Sequence, residues 1–265
     1  MRKDLEKARN ERLDEISISN EGYKMRIVEY NGRNDIIVEF QDKHKAKIHT
    51  QYGNFKLGNV KNPYHPSVCK IGYCGRGKYK SRINGKITKV YEVWTSMLKW
   101  CYDPYELNRN TTYIDCYVCE EWHNFQTFAK WWEENVYNCN NERMCLDKDI
   151  LIKGNKIYSP NTCLIVPERI NTLFIKCDNS RGEYPIGVVE NQDKKSNYVG
   201  LTVFCCTLYE RKYLGSFPIN KPFQAFTCYK NFKENYIKQV ADEYKDIIPQ
   251  RLYDAMYKYE VEIND

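Results

Sequence analysis

The stretch Leu146-Asp147-Lys148-Asp149-Ile150-Leu151-Ile152-Lys153-Gly154-Asn155-Lys156-Ile157-Tyr158-Ser159-Pro160-Asn161-Thr162-Cys163 decides how this chain is read. Apolar Leu146, Ile150, Leu151 and Ile152 precede a Gly154-Asn155 turn signal, and Ile157-Tyr158 return, which predicts a hairpin. A further apolar run ends at Pro167, a favoured first helical residue, so a helix is expected over about 167–176. Strand, turn, strand and helix in that order make a small α+β unit.

Working upstream, residues 90–102 place Tyr91, Trp94, Met97, Leu98 and Cys101 three and four residues apart, the spacing of a helix with one buried face. Residues 122–135 repeat the pattern through Trp122, Phe125, Phe128, Ala129 and Trp132, a stripe that reads as core. Before them, 63–89 reads as an ordered basic linker, its Gly72–Gly85 stretch dense in Gly, Lys and Tyr with little periodicity. Its Arg76, Lys78, Lys80 and Arg82 offer a cationic face for a phosphate backbone; a solvated loop is the plainer alternative. Earlier still, Tyr23–Tyr30, Asp35–Phe40 and Lys45–Gln51 read as strands that Phe55 and Val60 close into a barrel-like unit over 17–62, behind a charged helix or arm at 1–16.

Downstream, 177–185 breaks the composition. Ile186–Val189, Tyr198–Phe204 and Tyr209–Phe217 then read as three strands, Phe223–Tyr244 as a long amphipathic helix, and Gln250–Tyr259 as a last helix after Pro249. These form an expected module at 183–265.

Composition bounds the classes. Hydrophobic residues make up 42% of 265, enough for several small cores, and Lys plus Arg exceed Asp plus Glu by 41 to 35, a modest excess that suits a polyanion. Nothing approaches the roughly 18 apolar residues of a membrane span, and the first residues do not resemble a secretory signal, so a cytoplasmic protein is expected. The 12 cysteines are then expected to stay reduced. Cys116 and Cys119 have a zinc-knuckle gap, with Cys139 and Cys145 as conceivable partners, but buried thiols are the favoured reading. His44, His49, His65 and His123 make no helical two-histidine motif.

Trp94-x-x-Met97-Leu98, Val118-Cys119-Glu120-Glu121-Trp122, Leu146-Asp147-Lys148-Asp149 and Gly154-Asn155-x-x-Tyr158-Ser159-Pro160-Asn161-Thr162-Cys163 together resemble the phage-type HNH homing-endonuclease family over 90–176. That resemblance implies a hairpin and helix around one magnesium or manganese ion. A histidine base activates water in such a site, and the metal stabilises the leaving oxygen. Asp147 matches the aspartate ligand, Lys148 stands where the histidine belongs, Asn161 or Thr162 falls at the central asparagine, and Asn171 is the available terminal donor. A protonated lysine cannot accept the proton, so the resemblance implies a module that binds rather than cuts.

Ile186-Gly187-Val188, Tyr198, Leu214-Gly215-Ser216-Phe217 and Ala225 with Tyr229 are similar to the ethylene-response-factor (APETALA) family, whose three-stranded sheet lies in the major groove of DNA. Lys194, Lys195, Arg211 and Lys212 are the implied DNA contacts. The central strand, Val199–Thr207, has no arginine, which favours phosphate positioning over base reading. Spacing alone makes 17–62 similar to small Src-homology-type barrels. The expected partner is double-stranded DNA, in regulation or counter-defence against a host nuclease or defence complex. A metal-dependent nicking enzyme and a protein-docking inhibitor are the rival readings.

Overall fold

The computed structural model describes residues 2–175, 183–193, 198–263 and 265. The chain folds as two compact units, Met1–Lys130 and Trp131–Asp265, each mixing helix and sheet. The boundary, between Lys130 and Trp131, falls inside the 90–176 stretch that the sequence presents as one module.

The first unit opens with α1 (Arg2–Arg12) and an antiparallel meander, β1 (Ile16–Ile18), β2 (Lys24–Gly32), β3 (Asp35–Phe40) and β4 (Lys47–Thr50), paired in chain order. Alternation along β2 and β3 sends Met25, Ile27, Ile36, Val38 and Phe40 to one side, where they are fully buried. The strands make an open four-stranded sheet rather than the expected barrel. Phe55 lies not on a closing strand but on the short helix α2 (Tyr52–Lys56), whose phenyl ring plugs the same core.

The basic segment that follows is more organised than a linker. It contains a two-residue-turn hairpin, β5 (Arg82–Ile83) with β6 (Lys86–Ile87), and leads directly into α3 (Lys89–Tyr102). α3 continues into α4 (Pro104–Arg109), β7 (Tyr117–Val118), a 3-10 turn at Glu120–His123, and α5 (Phe125–Asn135). Trp122 therefore sits on the turn before the helix it was expected to begin. Trp94 and Trp122 are both fully buried, and the Trp94 indole donates to the Trp122 carbonyl at 2.7 Å. Each ring removes on the order of 150–250 Å² from water, which makes this pair the anchor of the unit's helical half.

The second unit carries β8 (Met144–Asp147), β9 (Ile157–Tyr158), β10 (Leu164–Pro167) and α6 (Glu168–Thr172). β8 pairs antiparallel with β10, Asp147 opposite Leu164, so the hairpin expected around Gly154-Asn155 is corrected: the returning strand is 164–167. Asp147 causes the difference. Its carboxylate accepts the amides of Asp149 (2.8 Å) and Ile150 (2.7 Å), which turns the chain out of the strand immediately.

Beyond come β11 (Val188–Asp193), β12 (Tyr198–Cys206) and β13 (Arg211–Pro218), a three-stranded antiparallel sheet in chain order. The long helix α7 (Pro222–Glu243) covers one face, and α8 (Gln250–Lys258) follows. α7 serves two cores. Ala225, Phe226 and Tyr229 near its start pack on Val188, Leu201, Val203 and Cys205 of the sheet, and Ile237, Val240 and Ala241 pack with Leu164, Val166, Ile170, Leu252 and Met256. Gly187, at φ +79, admits Tyr229 so closely that a Cβ there would sit 2.0 Å from the ring.

Candidate nucleic-acid interface

Three of the four cations read from the basic segment converge. Arg76, Lys80 and Arg82 line a cleft of about 470 Å³ with Cys74, Gly75, Gly77, Tyr79, Ser81, Phe125 and Gln126. No carboxylate is among those lining residues. Lys78 is absent from the lining, and its ammonium lies over the Tyr79 ring at 4.8 Å.

The loop holds its shape because α5 straps it. Gln126 accepts the Tyr79 amide (3.1 Å) and donates to the carbonyls of Cys74 (3.1 Å) and Tyr79 (3.0 Å), and the Phe125 amide donates to the Tyr73 carbonyl at 2.9 Å. Close approach requires glycine twice. Gly75 has φ +65 and would put a Cβ 2.3 Å from Asn124 Oδ1; one on Gly77 would sit 2.2 Å from Gln126 Oε1. One guanidinium nitrogen of Arg76 donates to the Lys47 carbonyl (2.7 Å) and one of Arg82 to the Gly85 carbonyl (3.0 Å), orienting both groups with donors to spare. Burial pushes the Cys74 thiol and the Tyr91 phenol that hydrogen-bonds it above their ordinary values, so no thiolate offsets the cations at neutral pH.

Gln126 was read only as one position on a helix, and its strapping role needed coordinates. The hairpin was signalled by Asn84-Gly85, whose φ values of +49 and +76 form the two-residue turn that such a pair favours.

The nuclease-like residues of the second unit are arranged differently. Lys148 is buried, and its ammonium donates to Asp149 Oδ2 at 2.7 Å and to the Asn155 carbonyl at 2.9 Å. The side chain of Asn155 bridges the carbonyls of Lys148 (2.9 Å) and Ile157 (2.7 Å), so the asparagine that clamps this loop is Asn155, not Asn161 or Thr162. Thr162 donates to the Ile157 carbonyl at 2.6 Å and shares a hydrogen bond with Ser159 Oγ at 2.8 Å. Asn161 is exposed, and its carbonyl accepts from the Arg251 guanidinium. Asn171 lies half-buried on α6.

Asp147 is half-buried at its surface, yet protein packed around the carboxyl pushes its pKa up to about 6, against which the two amide hydrogen bonds and Lys148 act only in part. The metal that the HNH resemblance implies does not fit these donors. One oxygen of Asp147 already accepts two amides, and the neighbouring carboxylate, Asp149, is paired with the Lys148 ammonium. Among the described residues no group of three or more His, Cys, Asp or Glu is gathered to hold an ion. Cys116 is buried, and burial raises the Cys119 thiol, whereas zinc binds thiolates. Cys139 lies in an apolar core with Cys145 packed against it.

In the sheet of the second unit, Arg211 and Lys212 point to opposite faces. Arg211 pairs with Cys206 on the side away from α7, where its guanidinium covers the Phe204 ring at 4.2 Å. Lys212 pairs with Cys205, a core residue, and its ammonium lies 5.2 Å from the Phe232 ring of α7. This corrects the expectation that both face a groove: adjacent strand residues alternate sides. Lys194 and Lys195 lie outside the described residues.

Set against protein-family models, curated proteins and solved structures, the chain matches nothing. Among the described residues no helix is long and apolar enough to cross a membrane.

Proposed function

We propose that this chain binds double-stranded DNA through the cationic cleft of its first unit, and that the nuclease-like loop of its second unit takes part in no cleavage. The observation that carries the reading is the convergence of Arg76, Lys80 and Arg82 in one glycine-edged cleft whose lining has no carboxylate. Guanidinium and ammonium groups held this way neutralise phosphates and release counterions, which supplies most of a sequence-independent affinity.

The strand-loop-strand-helix order of β8, β10 and α6 supports the likeness to an HNH module. Its chemistry is undercut at the base position. Lys148 is committed to Asp149 and Asn155, and Asp147 to two amides, so neither is placed to activate water. Occupying a duplex without cutting it suits a repressor, or a counter-defence protein that shields DNA from a host nuclease.

The test is a duplex titration from low to high salt, with a supercoiled plasmid incubated in parallel with magnesium or manganese. Wild type is expected to shift both DNAs intact. An Arg76→Ala/Lys80→Ala/Arg82→Ala variant should lose about a hundredfold in affinity, and its salt slope should fall by about 2 to 3. Equal binding by that variant overturns the reading. Metal-dependent strand breaks that disappear in Asp147→Ala would replace it with an active nuclease.

A further inference from the structure

We infer that the hairpin β5–β6 is a two-stranded ribbon that enters the major groove of DNA, with the isoleucine of its groove-facing side, Ile83 or Ile87, resting on a thymine methyl group. The inference deepens the duplex-binding reading above and rests on it. Every residue from Arg82 to Ile87 is exposed, the isoleucines at 57% and 52%. Register places Arg82 opposite Ile87 and Ile83 opposite Lys86, so each face of the ribbon presents one cation beside one isoleucine.

The surroundings identify the occupant. From Cys74 to Tyr91 the chain has six Lys or Arg and no Asp or Glu, and Arg82 belongs to both the ribbon and the cationic cleft. A polyanion held in that cleft is therefore in reach of the ribbon. The ribbon is also stiff. Arg82 closes on the Gly85 carbonyl at 3.0 Å, the Thr88 amide donates to the Ser81 carbonyl at 2.9 Å, and the Thr88 hydroxyl donates to the Lys80 carbonyl at 3.0 Å. The next residue begins α3, the helix anchored by Trp94.

Size selects the groove. Two strands about 4.8 Å apart, with side chains, fit the roughly 12 Å major groove of B-DNA as it stands, whereas the roughly 6 Å minor groove would have to be widened and the duplex bent to admit them. The major groove is also where thymine displays the C5 methyl that an apolar side chain can cover. Backbone contacts by Arg76, Lys80 and Arg82 then set position, and the ribbon adds a preference for T-rich sequence.

Dimethyl sulfate separates the grooves, because it methylates guanine N7 in the major groove and adenine N3 in the minor. Full-length wild type and an Ile83→Ser/Ile87→Ser variant are compared on a mixed-sequence duplex, and on the same duplex with uracil for thymine. Wild type is expected to protect guanine N7 and to bind the uracil duplex several-fold more weakly. The serine variant should lose about tenfold in affinity on thymine DNA, keep the wild-type salt slope, and ignore the uracil exchange. Protection of adenine N3 alone, or a serine variant that binds and protects as wild type does, overturns the ribbon while duplex binding stands. Failure of wild type to bind either duplex, with the fold intact by circular dichroism, overturns both readings.

Discussion

The basic loop of the first unit and the Asp147–Thr162 loop of the second both lack long regular elements, and both are rich in charge. They use it in opposite directions. In the first, Gln126 and two glycines fix the backbone, which leaves Arg76, Lys80 and Arg82 facing a cleft without carboxylates. In the second, the side chains themselves fix the backbone: Lys148, Asp147, Asn155 and Thr162 each satisfy a loop amide or carbonyl. A buried charge committed to its own loop, as Lys148 is, does not reach a ligand, whereas Arg76, Lys80 and Arg82 are exposed, and each guanidinium that holds a carbonyl has further donors. The contrast supports the proposal that the first loop binds, and it gives the second an architectural part.

Removing Lys148 should break the second loop most severely. Lys148→Ala deletes a buried ammonium, leaves the Asn155 carbonyl and Asp149 without their donor, and should cost about 2–3 kcal/mol in urea unfolding while duplex affinity stays within about twofold. Loss of DNA binding at full stability would reverse the assignment.

Asp147→Asn sharpens the comparison through pH. The folded carboxyl titrates at about 6, above its ordinary 3.8, so the stability linked to its proton is present below about pH 4 and lost as pH rises through 6. Asparagine keeps the amide-accepting oxygen without the charge. The variant should therefore exceed wild type by about 1–2 kcal/mol at pH 7.5 and match it near pH 3.5. Denaturant midpoints across that range decide it, and a variant less stable at pH 7.5 would show that the carboxylate charge itself supports the loop.

The smallest effect belongs to the first loop. The triple variant that removes Arg76, Lys80 and Arg82 should unfold within about 1 kcal/mol of wild type, because exposed cations contribute little to stability. A larger drop would mean that these groups, like Lys148, are structural.

Much of the fold was legible before any coordinates. Periodicity located α3, α7 and α8 to within a residue or two, and alternation located β3, β12 and β13, since each buries one face against one neighbour, whereas the strand expected at 186–189 runs over Val188–Asp193. The barrel, the 146–158 hairpin and the groove-facing Lys212 were misread, each for a local reason. Phe55 reaches its core from a helix, Asp147 captures two amides and turns the chain, and Lys212 shares its face with Cys205. In the candidate site the sequence named the four cations and left open whether they meet.

By itself, then, the amino-acid sequence determined which residues could be buried and that a run of cations without acids lies between Cys74 and Tyr91. Only the tertiary structure decided that Gln126 bends that run around a cleft and that Lys148 is sealed into its own loop. Burial follows from the periodicity of neighbours in sequence. Whether a charged group faces a ligand or a backbone carbonyl depends on partners distant along the chain, up to 52 residues away for Cys74 and Gln126, which local pattern does not encode.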